Sequence, residues 1–556
     1  MRRRRSIAEL AVFFAICLCA AGQSATGAGN HRQAGLAQFQ RGDLQAALSE
    51  FRAAVKVNPG DALSHDYIGV ILAESGTMSE AVAEFQEAAR LDPVLPDPHY
   101  HLGLAFQQSG QTENAIGEYQ QALRRNPNLV EAQYGLSAIC AKAGDLDGAI
   151  VLLRKIVQAE PGFAEGHYNL GLNLWNRYKT SSGLRQKSDL DEAAQELKKA
   201  SELDPRQPAT WFAYGQLLSD RGEPDSAIEK LQRALDLQPA NPEYHYNLGL
   251  ALRLKGSLDA AGEEFRTALK LSPQHALAHR SLGLVLRETG DFAAAAAELQ
   301  VSVSELPDDA QGHHLLGTVL LKLNDLPGAI DELGKAISLD PRLTDARATL
   351  AQALQKAGRR DEAQQETAEL RKINLENSNV GQAMILVETA AGQSKKGNFK
   401  TAASELQQAV SLSPNFAEAQ YQLGLALVGS GKGLEAEEAF RRVLQLEPAH
   451  AAAHYQLGLG LAGRGDNAQA AAEFEKATQL APGLTEAHLA RGKLAAELQD
   501  WRTAAREFEA VLAWNPADAA AHYGLANTLK ASGHTEEAAR ELQVARKLSP
   551  AENKAP

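Results

Sequence analysis

Residues 245–273 read HYNLGLALRLKGSLDAAGEEFRTALKLSP. The closing Pro273 recurs at a step of 34 residues. Pro205, Pro239, Pro307 and Pro341 share its run, Pro59, Pro93, Pro127 and Pro161 precede it, and Pro414, Pro448, Pro482, Pro516 and Pro550 follow. A fixed period of this length marks small structural units stacked side by side. Such a stack has no single core and its length is open, so 556 residues need not be divided into globular domains.

Ending each repeat two residues after its proline gives fifteen repeats, from Ala28–Asp61 to Ala519–Glu552. Position 20 is Ala in all of them, including Ala115, Ala261 and Ala436, and position 8 is Gly in eleven, including Gly103, Gly171, Gly249 and Gly424. Position 24 is often aromatic, as at Phe51, Tyr119 and Phe265. Position 15 is usually Gly, and Asn at Asn324. The pattern predicts two helices per repeat. The first, at about positions 2–14, ends at the glycine, which adopts the left-handed backbone of a helix cap. The second, at about positions 17–29, ends before the proline. An acid after the glycine, as at Asp145, Asp291 and Asp466, is placed to cap the second helix. The small residues at positions 8 and 20 imply a close helix crossing. Aromatics are only 6% of the chain, which suits an all-α fold of closely packed helices and disfavours sandwiches and barrels.

This pattern resembles the tetratricopeptide repeat family. Tyr168-Asn169-Leu170-Gly171, Tyr246-Asn247-Leu248-Gly249 and Tyr455-Gln456-Leu457-Gly458 carry its Leu-Gly signature, and Ala261 with Phe265 and Ala470 with Phe474 carry its Ala-(x3)-Phe signature. The resemblance implies a right-handed superhelical solenoid whose first helices line a concave groove that binds proteins or peptides.

Three departures divide the array. Ten extra residues fall within Trp175–Ser188 of the fifth repeat, and they are basic (Arg177, Lys179, Arg185, Lys187). The tenth repeat, 344–377, has Ala351 at position 8 and Leu375 in place of the proline, and Ser378–Gln382 follows as a spacer. We read 28–343 as a nine-repeat array, 344–382 as a degenerate repeat and hinge, and 383–552 as a five-repeat array. The chain stops soon after Pro550, where many arrays of this family carry an additional solvating helix.

The N-terminal residues 1–22 have the layout of a secretory signal: Arg2–Arg5, then an apolar run from Leu10 to Ala21 and small residues to Gly22. A dozen apolar residues are short for a bilayer span. The expectation is a periplasmic or secreted protein of the bacterial envelope without a stable membrane span after cleavage, an uncleaved anchor being the alternative. Cleavage would leave Cys140 as the sole thiol, so the fold has no internal disulfide, and a buried, inert thiol is expected there. A net charge of -13 disfavours nucleic acid as a partner.

Catalytic, cofactor and metal motifs fail their context. Ten histidines occupy position 4: His31, His65, His99, His167, His245, His279, His313, His454, His488 and His522. Neighbouring first helices lie about 8–10 Å apart or more, too far for one metal to join them. Packing histidines are expected instead; if buried and neutral they would lower stability below about pH 6.5. Gly458-Leu-Gly460-Leu-Ala-Gly463 lies inside a first helix with no strand before it. We expect no enzyme, cofactor or metal. By resemblance, position 5 faces the groove, and it carries Tyr100, Tyr134, Tyr168, Phe212, Tyr246, Tyr421, Tyr455 and Tyr523. Acids at position 2, such as Asp97, Glu131 and Glu165, suit a basic protein or peptide partner. The expected function is a non-catalytic binding scaffold. Asn169 and Asn247 at position 6 leave a substrate-recruiting accessory of an enzyme such as a glycosyltransferase as an alternative, and an envelope assembly or secretion component as another.

Overall fold

The structure is a computed structural model that describes residues 27–180 and 187–548. Residues 1–22, read above as a signal, and Arg185 of the insertion lie outside the described residues. Among the described residues there are 29 helices and no strand. Two compact parts can be described separately: one holds the residues up to Pro161 together with those from Ala449 onward, the other holds Gly162–Pro448.

The seventh repeat shows how the sequence dictates the hairpin. Its first helix, Pro242–Lys255, opens with a proline that needs no N–H there, and the Asn241 side chain accepts from the Glu243 N–H. It closes at Gly256, with φ 86°, whose N–H returns to the carbonyls of Leu252 and Arg253. The second helix, Leu258–Leu271, ends two residues before Pro273. Position 15 has positive φ in every repeat but the fifth; it is Gly except for Asn324 (φ 65°) and Gln499 (φ 62°). Gln499 pays for that backbone without the relief glycine provides. The Asp145 and Asp291 side chains accept from the N–H groups of Gly148 and Ala294, whereas Asp466 makes no such bond.

The two helices of a hairpin are locked by one steric fit. A Cβ built on Gly249 would lie 2.6 Å from Cε1 of Phe265, and one on Gly103 would lie 2.6 Å from the Tyr119 ring. On Gly424 it would strike the Phe440 ring, and on Gly171 it would lie 2.7 Å from Leu197 and 3.1 Å from the Ala193 carbonyl. The position-24 side chain thus fills the space where the position-8 side chain is missing. Ala115 and Ala261 are wholly buried beside it, and Ala436 nearly so. Where position 8 is not Gly, position 24 is never aromatic: Ser137 goes with Leu153, Ala351 with Thr367, Ala390 with Leu406 and Ala526 with Leu542.

Within each part, first helices of consecutive repeats touch one another as well as their own partners. Fifteen hairpins would give thirty helices; one is lost because Arg360–Lys395 is a single helix of 36 residues. It joins the second helix of the tenth repeat to the first of the eleventh, and Ser378–Gln382, the spacer of the expected hinge, is helical within it. With Leu375 where the other repeats have proline, nothing stops the helix there. In the fifth repeat the extra residues lengthen the helices: Ala164–Thr180 and Lys187–Leu203 have 17 residues each. Arg177 pairs with Asp189 at 2.7 Å, Lys179 lies 3.8 Å over the ring of Trp175, and the Trp175 indole donates to Asp220.

The Gly–aromatic fit yields a prediction. Gly249→Ala overpacks the hairpin and lowers stability by about 1–3 kcal/mol, and Phe265→Leu in the same chain recovers part of the loss, as in the repeats with Ala at position 8. Hydrogen exchange across 242–275 measures it. Unchanged exchange in Gly249→Ala contradicts the fit.

Candidate peptide-binding face and the histidine clamps

All ten position-4 histidines bond through Nδ1 to a glutamate of the following helix. In at least six of them Nε2 also reaches the carbonyl of the proline that closes the preceding repeat. His245 lies 2.6 Å from Glu264 and 2.9 Å from the Pro239 oxygen; His522 lies 2.6 Å from Glu541 and 3.0 Å from the Pro516 oxygen. His65, His279, His313 and His488 repeat the arrangement. One side chain therefore ties the first helix to its own second helix and to the turn before it. Other residues at position 4 keep part of the tie. Gln133, Gln420, Trp211 and Arg347 each donate to the equivalent proline carbonyl, and Arg347 also pairs with Glu366. Trp211 has Lys230 in place of the glutamate, 5.9 Å from its ring, so a cation–π contact replaces the ion pair.

At His522 this overturns the condition of a neutral ring. A neutral imidazole has one N–H, so a ring between two acceptors satisfies both only as imidazolium. Burial by itself lowers the His522 pKa, but the bonds to Glu541 and the Pro516 carbonyl outweigh it and raise the pKa above the ordinary value. The signal was available in the sequence: each position-4 histidine has Glu at position 23, while Gln133, Trp211 and Gln420 have Leu152, Lys230 and Ala439 there.

The position-5 aromatics occupy mixed environments. In the first part, Tyr100 is only 6% exposed, packed on His101 and Tyr119, and burial pushes its hydroxyl pKa up. Tyr134 and Tyr455 are half-buried, and Tyr523 is 55% exposed. In the second part, Tyr168, Phe212, Tyr246 and Tyr421 are half-buried. Tyr246 leans on Phe265, Tyr421 on Phe440 and Tyr455 on Phe474, with ring centroids 5.9, 5.9 and 6.2 Å apart. Each of these rings packs on the position-24 ring and stays partly open to solvent, Tyr246 also lying 4.9 Å from the His275 ring. Tyr100 does not: it shares its space with a buried ion pair, Asp66–His101 at 2.8 Å, that bridges the first helices of repeats 2 and 3. Burial and the charge of Asp66 raise the Asp97 pKa, and burial also raises that of Glu131. The Asn169 and Asn247 side chains donate to the carbonyls of Glu165 and Glu243 in their own helices.

One cavity of about 290 Å³ opens between the first helices of repeats 13 and 14. Tyr455, Leu459 and Ala462 form one wall, Leu489, Ala490, Lys493 and Leu494 the other, and Phe474 the floor. Glu486 and Glu497 stand at its ends. Its two walls are built from positions 5, 9 and 12 of the thirteenth repeat and 2, 5, 6, 9, 10 and 13 of the fourteenth, one face of each first helix. Positions 9 and 12–13 were missed as site residues; the i, i+4 spacing from position 5 is the signal that points to them. Cys140 is wholly buried, and burial raises its thiol pKa, which keeps it protonated and unreactive. No helix among the described residues is long and apolar enough to cross a membrane.

A stack of helical hairpins with a mostly half-buried row of first-helix aromatics defines a repeat protein whose working surface is an interaction face. The family comparison is specific. A tetratricopeptide repeat model matches residues 32–96, 100–164, 178–242, 212–276, 263–310, 282–343 and 421–485, more than half of the chain. A second model of that description matches 320–384 and 495–554, and a TPR repeat model matches 395–431. The chain belongs to the tetratricopeptide repeat family and is a protein-interaction scaffold. No curated protein matches it. Among solved structures, residues 41 to the end of MamA from Desulfovibrio magneticus are 25% identical, covering 30% of this chain and 94% of that one at a TM-score of 0.29. YrrB, described as a TPR protein with an unusual peptide-binding site, is 22% identical, covering 37% and 97% at 0.30. Yeast Tom70 is 13% identical, covering 79% and 96% at 0.33.

The clamp geometry fixes the sign of a pH effect. A raised His522 pKa contributes stability that is full below the unfolded value of about 6.5 and is lost as pH rises through the folded pKa. As pH falls from 8 to 6 the melting temperature of the wild type therefore gains on that of His522→Gln. Equal slopes in the two proteins contradict the ionised clamp.

Proposed function

We propose that the chain is an exported scaffold of the bacterial envelope or periplasm that holds an extended, basic peptide segment along its first-helix face. The observation that carries this reading is the cavity between Tyr455 and Leu489. Its apolar walls accept one apolar side chain of the peptide. Glu486 and Glu497 outnumber Lys493 at its rim, which favours Lys or Arg in the residues on either side. The half-exposed rings of Tyr246 and Tyr421 offer similar footing in other repeats. Stiff aromatics already packed on one edge lose little freedom when a ligand docks, which favours affinity. Nothing in this reading requires catalysis, a cofactor or a metal: the work is binding. The Arg2–Arg5 head and the apolar run from Leu10 to Ala21 support export.

Binding is tested with a peptide array of Lys- and Arg-containing segments bearing single Leu or Phe residues. Tyr455→Ala and Leu489→Ala should each weaken the best binder by about 1–2 kcal/mol, as at an interface hot spot. Raising salt should weaken it further by screening the acidic rim. A folded double variant that binds as tightly as wild type removes the cavity as the site. Export is tested separately by fractionating the bacterium that makes the protein and weighing the intact chain. A periplasmic species that has lost about the first 22 residues is expected, and a full-length chain confined to the cytoplasm refutes export.

A further inference from the structure

In a repeat stack, contacts run between neighbours. The first compact part departs from this: Gly483 donates its N–H to the Asp145 carboxylate at 2.7 Å across 338 positions of sequence. The contact is built mainly from second helices, away from the cavity described above. Arg124, at the end of Thr112–Arg125, pairs with Glu509 of Trp501–Trp514 at 2.6 Å, and Gln121 donates to the same glutamate at 3.3 Å. The Lys155 ammonium, on Leu146–Ala159, donates to the Trp514 carbonyl at 2.5 Å. The Trp514 ring, 3% exposed, belongs to the same apolar cluster as Leu123 and Leu152.

The backbones meet at two glycines. A Cβ on Gly483 would lie 2.7 Å from the Gly148 Cα, 2.8 Å from the Asp145 carboxylate and 3.3 Å from the Trp514 ring. Gly483 does not have the positive φ that turns demand. The same repeat position carries Val94, Arg206, Gln274 and Arg342 elsewhere, so the hairpin itself does not require glycine there. The distant contact does.

We infer that repeats 3 and 4 carry a docking surface for repeats 13 and 14 of the same chain, and that the two close as a reversible latch. The hold consists of one buried aromatic anchor and a few polar links, the make-up of a small, separable interface and not of a core. Closing also leaves the Trp514 indole N–H without an acceptor, which opposes it. The covalent connection through residues 162–448 keeps the two surfaces at high effective concentration, so a weak contact persists. Opening exposes Trp514 and the second-helix faces of repeats 3 and 4 together.

The test is segment-resolved hydrogen exchange on the full chain. Gly483→Gln should raise exchange about tenfold or more in 121–125 and 145–156 as well as in 509–516, with 242–275 unchanged. Arg124→Glu should do the same, and Glu509→Arg in that background should restore protection, which separates loss of the latch from loss of the fold. Protection should be the same at low and high protein concentration. If Gly483→Gln leaves 145–156 unchanged, or if protection grows with concentration as it would between two copies, the latch is refuted.

Discussion

A ring lying where a side chain would begin is the constraint on which this structure depends. Phe265 against Gly249, Tyr119 against Gly103 and Phe440 against Gly424 bring the helices of a hairpin together, and Ala at position 20 keeps the same crossing narrow. The hairpin then presents a first helix that touches the first helix of the next repeat. The half-buried row at position 5, the cavity at Tyr455 and the spacing of its walls all follow from how far apart those crossings hold the first helices.

The histidine clamps add direction to this packing. Glu264 and the Pro239 carbonyl approach His245 from opposite sides, so one ring fastens the turn between repeats from two directions. The tie survives changes of chemistry. Arg347 keeps both links, Gln133 and Gln420 keep the carbonyl, and Trp211 exchanges the carboxylate for the ammonium of Lys230. Where a donor reaches the proline carbonyl the second partner adapts to it, and His99 keeps the glutamate alone.

Most of the fold was legible because its signals are local. Proline spacing, the position-15 cap and the small residues at positions 8 and 20 each act within one repeat. Gln499 was less legible: nothing in a glutamine announces a left-handed backbone, and only its register in the array does so. The continuous helix Arg360–Lys395 was missed because a lost proline was read as a weakened repeat, whereas physically it is the removal of a stop. The histidine clamps went unread although Glu stands at position 23 in each of those repeats, because each pair joins two helices 19 residues apart, or 29 at Glu196 across the insertion. Tyr100 looked like its fellows at position 5, but the Asp66–His101 pair and Tyr119 crowd it into the interior. The meeting of Gly148 and Gly483 lies beyond any reading by period, because a period describes only how a repeat meets the next one.

The clamp has a consequence for how such a chain changes over generations. Histidine and glutamate belong to the same 34-residue block, and the proline carbonyl they need is supplied by whatever block stands before. A block can therefore be copied, deleted or moved by recombination and arrive with its histidine–glutamate pair complete, and a proline to receive the second link closes every repeat but the tenth. The fifth repeat shows the tolerance of the scheme: ten residues were added between its helices, yet His167 still finds Glu196. Modular inheritance is thus written into the hydrogen-bonding chemistry of one side chain. Gly148 and Gly483, by contrast, are tied to their particular places in the order and would lose their meeting if the blocks between them were shuffled.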